Sequence, residues 1–463
     1  MVDQNISQLT TVKEEQKSSP VVVKTTQSVD LVSQITTTEK GLRIVRVAMP
    51  GVQSVTVLAL AGTGSRYEEA SVRGLSHFLE HMVFKGTASY ADSHAVAMAI
   101  DAVGAEFNAF TSKEYTGYYV KAPATAFRLA VDVVSDMLMT PSLRQEDIDR
   151  ERQVIEAEID MYEDTPSRKV GDVFEQVMFD GCDLGEDIIG TKETVRAITR
   201  EAFVSHLKKW YGPSNLVVVV AGDAQLVESA EVIEQIELAF SKTSETSSRE
   251  EKRGMVRPAK YATSKYLKVI NKKTEQAHLV MGVPGLAHDD ERWPALSVLA
   301  TLFGGGMSSR LFTEIREKRG LCYYVRSDLE KYHDAGVFGV SAGVDPKRIE
   351  EALSAILAEL RLLSSSGERA ITEDEVARAK EQVLGRLALS TEDSYEVAAA
   401  AGMRQLLQRK PFSLEEKRQK IRSVTHQQVL ELAQSLVQDT QPYLAVIGPF
   451  EQEDIFKTML ASS

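Results

Sequence analysis

Cysteine is nearly missing from this chain: Cys182 and Cys322 are the only two in 463 residues, far apart and outside any C-x-x-C pattern. A disulfide framework and a thiolate metal site are thereby excluded, so any metal must rest on histidine and carboxylate. Long apolar runs are missing too. No stretch nears the ~18 residues that a bilayer crossing takes. The start, MVDQNISQLTTVKEEQKSS, lacks the apolar core of a secretory signal, and no arginine precedes Arg43, unlike an Arg-rich organelle transit peptide. These absences predict a soluble protein without membrane contact, in the bacterial cytoplasm by preference, with an organelle matrix left open. Positive charge is not in excess either: the net charge of -13 disfavours non-specific binding to nucleic acid.

What the chain has is size and repetition. With 43% hydrophobic residues it can bury more than one core, because single cores stop growing near roughly 250 to 300 residues. Residues 1–34 read as a disordered polar tail. The stretch 241–260, SKTSETSSREEKRGMVRPAK, is rich in Ser, Thr and charge without an apolar period, which is the composition of a linker. It separates a first domain, 35–240, from a second, 261–463. Strands are expected at 42–47 and 52–61, turned by Pro50 and Gly51.

The two sides of the linker resemble each other. AITREAFVSHLKKWYGPSNLVVVVAGD and SVTHQQVLELAQSLVQDTQPYLAVIGP each place a Thr (Thr199, Thr425) at a helix start, then an amphipathic helix, then an apolar strand ending at a Gly (Gly222, Gly448). GYYVKAPATAFRLAVDVVSDML and VFGVSAGVDPKRIEEALSAILAEL share a strand, a short Pro-containing turn and a helix. A duplicated α+β unit follows, with a two-layer α/β sandwich in each half.

Chemistry concentrates in GLSHFLEHMVF, residues 74–84, whose apolar residues recur at helical spacing. His77 and His81 then lie one turn apart on the same side, with Glu80 beside them. Two imidazoles suit zinc, and a carboxylate off the metal can take the proton of a polarised water. A third ligand is sought in QEDIDRERQVIEAEIDMYEDTP, 145–166. There Ile148, Ile155, Ile159 and Tyr162 form an apolar stripe, and Glu151 and Glu158 fall inside it, two turns apart. Buried carboxylates need a partner, which a metal site or a salt bridge would supply.

HFLEH, with Glu158 inside ERQVIEAEIDMYEDTP, resembles the pitrilysin family of inverzincin zinc metallopeptidases, most closely its processing-peptidase branch, over about 42–448. The resemblance implies one zinc ion per chain, held by His77, His81 and Glu158, with Glu80 as general base and Glu151 supporting the site. It implies the LuxS/processing-peptidase-like fold and a peptide substrate. FNAFTSKEYTGYYV is similar to the family's edge strand, where the substrate backbone adds as a further strand at Asn108 and Ala109. In GGGMSSRLFTEIREKRGLCYYV, Arg316 and Tyr323 match the family's substrate-binding Arg/Tyr pair. That pair acts across a chamber from the opposite unit, so a homodimer is expected. The family also resembles non-catalytic core subunits of a respiratory complex, whose metal motif is degraded; here His77, Glu80, His81 and Glu158 are intact.

Overall fold

The computed structural model describes residues 30–241, 259–438 and 440–461. Most of the predicted tail and linker lies outside the described residues. The tail's last residues are held: Leu31 is buried, Val32 bridges Ser413, and Ser33 N donates to Phe412 O at 2.9 Å.

Among the described residues, eleven strands form two sheets. The first contains β1 (Gln34–Thr37), β2 (Arg43–Met49), β3 (Ser54–Ala61), β4 (Glu106–Thr111), β5 (Thr116–Pro123) and β6 (Leu216–Asp223), in the order β1-β2-β6-β3-β5-β4. The second contains β7 (Leu267–Asn271), β8 (Ala277–Pro284), β9 (Cys322–Lys331), β10 (Gly336–Val344) and β11 (Tyr443–Gly448), in the order β7-β11-β8-β10-β9. Without β1 the orders are the same. In each, the first strand runs parallel to the last (β2 with β6, β7 with β11), and every other pairing is antiparallel. The duplication read from sequence is therefore a duplication of topology. Thr199 and Thr425 cap their helices as expected, accepting from Ala202 N and Gln428 N.

Helices close one face of each sheet, giving the α/β sandwiches. In the first half Val55, Val57, Val218 and Val220 pack on Val131, Val134 and Phe203. Full burial of such side chains stabilises by about 1.5–3 kcal/mol each. Sequence patterning does not reveal what covers the second faces. Helix Pro166–Met178, from the first half, lays Val173, Phe174 and Val177 on β8, β10 and β11. Helix Ser394–Met403, from the second half, lays Val397, Ala398 and Ala401 on β2, β3 and β6. Gly402 permits this approach, since a Cβ there would stand 2.6 Å from Leu60. Each half thus lends a helix to the other.

A buried ion cluster joins the β4–β5 and β9–β10 hairpins. Arg66, whose side chain has 0% exposure, binds Glu114 at 2.7 Å and Asp334 at 2.7 and 2.8 Å, and His333 Nδ1 lies 3.0 Å from Glu114. Among the described residues, no helix is long and apolar enough to cross a membrane.

Candidate metal centre

Helix Leu75–Met82 buries Leu75, Phe78, Leu79 and Met82 against the first core, which turns His77, Glu80 and His81 away from it. Helix Gln145–Glu163 runs beside it, burying Ile148, Glu151 and Ile155. Side by side, the two helices bring three predicted ligands together. Glu158 Oε2 stands 3.8 Å from His77 Nε2 and 3.5 Å from His81 Nε2. Ligand atoms of all three lie within 4.8 Å of one another. Donors about 2.0–2.1 Å from one tetrahedral zinc are roughly 3.3 Å apart, so small side-chain shifts suffice to close on an ion.

The surroundings suit that use. Burial, with the charge of His81 beside it, pushes His77 down to about 3, leaving a neutral imidazole. Its Nδ1 is buried with no partner in the structure. For His81, burial works downward, but the hydrogen bond to Glu151 and the nearby Glu158 and Glu80 outweigh it, and the net direction is up. The contact between His81 Nδ1 and Glu151 Oε1 is 2.9 Å, so Nε2 is the ring nitrogen left facing Glu158. Lys85 reaches Glu151 Oε2 at 2.6 Å. Despite burial, these hydrogen bonds hold the Glu151 carboxyl below its usual range.

Glu80 is placed by a residue that sequence reasoning missed. Thr111 Oγ1, at the end of edge strand β4, donates to Glu80 Oε2 at 2.6 Å. Burial raises the Glu80 carboxyl; Thr111 and His81 oppose this and Glu158 adds to it. The available signal was strand alternation: Thr111 shares parity with buried Ala109, making it a polar side chain on the inward face. Lys85 was also missed, although it follows His81 by one helical turn. Glu156 points away from the trio and pairs with Arg196 at 2.7 Å.

Asn108 and Ala109 lie on β4, which pairs only with β5 among the described residues. Arg316 and Tyr323 meet each other: the guanidinium stands 5.8 Å from the centre of the Tyr323 ring and 4.8 Å from that of Phe312. Arg316 sits on a wide helical turn, Phe312–Glu317, and Tyr323 is 72% exposed. Among the described residues, no hydrogen bond or ion pair joins either to the His77 cluster. A second set of possible ligand atoms, Glu114, His333 and Asp334, is taken by the Arg66 guanidinium and is an ion-pair knot. A cavity of about 1410 Å³ between the halves, walled by Glu330, Lys331 and Lys417, includes none of the trio.

Residues 43–192 match the family model described as insulinase (peptidase family M16), and 197–383 match the one described as peptidase M16 inactive domain. A protein of Streptomyces coelicolor described as an uncharacterized zinc protease is 40% identical over 420 residues, 90% of each chain. One of Bacillus subtilis with the same description is 35% identical over 414 residues, 89% of this chain and 97% of that one. In fold, a Helicobacter pylori protease superposes with a TM-score of 0.80 at 23% identity, over 90% of this chain and 100% of that chain. A chain of complex III2 from Candida albicans superposes with a TM-score of 0.77 at 21% identity, over 92% and 99%.

Proposed function

The chain belongs to the M16, pitrilysin-like family of peptidases, and from that premise we propose that it is a zinc-dependent endopeptidase acting on extended or unfolded peptides. The observation that carries the reading is the convergence of His77, His81 and Glu158 within 4.8 Å, with Glu80 held alongside by Thr111. Two imidazole nitrogens and one carboxylate oxygen, with one position open, are the donor set of a catalytic zinc site. Bound there, zinc would supply a Lewis acid that polarises a water and the scissile carbonyl.

The chain's own residues do the rest. Glu80 accepts the proton of the attacking water and passes it to the leaving amine, so its carboxylate must be aimed and unencumbered. Thr111 occupies one oxygen and leaves the other free. Glu151 and Lys85 fix the ring orientation of His81. Edge strand β4 receives the substrate backbone, with Asn108 and Ala109 nearest the cut.

Arg316 and Tyr323 are proposed to bind substrate from a second copy of the chain. A two-fold homodimer would then enclose a chamber with two composite sites, one zinc ion in each chain. The proposed setting is bacterial cytoplasm, in keeping with bacterial relatives. The alternative, a non-catalytic structural relative, fits the shared fold but gives no reason for the Thr111–Glu80 and Glu151–His81 contacts. Zinc analysis paired with cleavage of a quenched fluorescent peptide separates the two: metal-dependent cleavage supports the peptidase, and folded protein that takes up no zinc rejects it.

A further inference from the structure

The helix carrying His77, Glu80 and His81 has only eight residues. Isolated helices below ~12–15 residues are marginal, so its pose must be imposed by its surroundings. At its C-terminal end, Lys85 is held by Glu151, and Arg144 donates to Lys85 O at 3.0 Å. At its N-terminal end, the first amides have no intrahelical acceptor. Gly74, the residue before the first turn, offers no side-chain cap and cannot be exchanged for one that does. Its φ is +94°, and a Cβ there would stand 2.5 Å from Ile189 O.

A carboxylate from outside the helix takes over. Glu68 Oε2 accepts from Gly74 N at 2.7 Å, and Glu68 Oε1 accepts from Ser76 N at 2.5 Å. Both oxygens of one side chain are spent on two amides of one turn, and Ser76 directly precedes His77. Glu68 is itself fixed. It follows the turn Ser65–Tyr67, whose Ser65 N and Arg66 N donate to Ser112 O and Lys113 O in the β4–β5 connection. That connection begins one residue after Thr111, which holds Glu80.

We propose that Glu68 is a positioning residue of the metal centre: by clamping the first turn of the helix to the frame that carries Thr111, it sets where His77 and Glu80 stand relative to Glu158. The proposal rests on the metal-peptidase reading above. Two short bonds from a fixed carboxylate define both the axial position and the rotation of a helix too short to define them itself, and the ligand geometry follows from that pose.

The test is the zinc dissociation constant of the full chain, measured by competition with a chromophoric chelator well below the melting temperature. Glu68→Ala should weaken zinc about tenfold or more, as loss of a ligand-orienting contact does. Glu68→Gln, keeping one acceptor oxygen, should weaken it about threefold. Thr199→Ala removes a helix cap elsewhere in the same half, a contact with Ala202 N at 3.3 Å, and should leave zinc affinity unchanged. Wild-type affinity in Glu68→Ala, or an equal loss in Thr199→Ala, would overturn the proposal. Should the alanine variant fail to fold, unchanged affinity in Glu68→Gln would overturn it as well. Zinc lost on Glu158→Gln but retained on Glu68→Ala rejects this inference alone, whereas a wild-type chain that takes up no zinc rejects the metal reading with it.

Discussion

Two helices occupy the same place in the two halves and differ in what they carry. Helix Leu75–Met82 follows β3, and helix Trp293–Gly304 follows β8. Helix Trp293–Gly304 carries no histidine or carboxylate, and its Leu296, Leu299 and Ala300 are all buried. The neighbouring long helices differ likewise. Helix Gln145–Glu163 buries Glu151 and presents Glu158 to the histidines, whereas helix Glu373–Ser390 buries Val376, Ala379 and Leu387, and its Arg386 donates to Gly305 O. Among the described residues, the second half therefore closes without a histidine–carboxylate cluster on these two helices. In the second half helix Trp293–Gly304 contributes to the core along most of its length; in the first, His77, Glu80 and His81 are withheld from the core, and Glu80 is held by Thr111 and His81 by Glu151, which Lys85 pairs.

The contrast can be broken in both halves at once. Glu80→Gln should lower peptide cleavage by about 10²–10⁴-fold, since general-base catalysis contributes that much, while leaving the melting temperature and zinc content unchanged. Leu299→Ala, at a buried position of the corresponding helix, should cost about 2–5 kcal/mol in denaturant unfolding, yet leave cleavage per folded molecule intact. A Glu80→Gln chain with normal turnover would show that the helices do not differ in the way described.

The joint between the halves gives the next effect. Arg66→Met leaves Glu114 and Asp334 facing each other without their cation, and breaking a buried pair costs about 3–5 kcal/mol. Chemical denaturation would read this as a lower midpoint, and an unaltered midpoint would mean that the clasp contributes nothing to stability.

Within the half that carries His77 and His81, Glu158→Gln should weaken zinc at least about 100-fold, whereas Glu156→Gln loses only the exposed pair with Arg196 and should change little. Chelator competition on both proteins decides this, and equal affinities would remove Glu158 as a ligand. The smallest effect concerns the proposed dimer. Glu80→Gln and Arg316→Ala proteins, each nearly inactive alone, should recover roughly a quarter of wild-type activity when refolded together, because half the dimers are mixed and each holds one intact site. No recovery in confirmed mixed dimers would place Arg316 in its own chain's site or outside catalysis.

The matched halves also show what a sequence can disclose. The His77–His81 spacing and the apolar stripe containing Glu151 and Glu158 are local helical periodicities, legible because period and face determine one another. The matching ends of β6 and β11 were legible for the same reason. The exchanged helices were not, because Pro166–Met178 and Ser394–Met403 show an apolar face but nothing of which sheet it covers. Thr111 and Glu68 act through contacts between segments distant in the chain or across a turn, which no period encodes. The Arg66 cluster, too, depends on two hairpins meeting, and Arg66 reads in sequence as an ordinary surface charge.

Whether zinc drives the chemistry is decided by peptide cleavage with chain stripped of metal and given back zinc in measured steps. No cleavage is expected at zero zinc, with activity rising in proportion to zinc bound and saturating at one ion per chain. Full activity in the stripped chain, or none after one equivalent has bound to folded protein, would contradict zinc-driven cleavage.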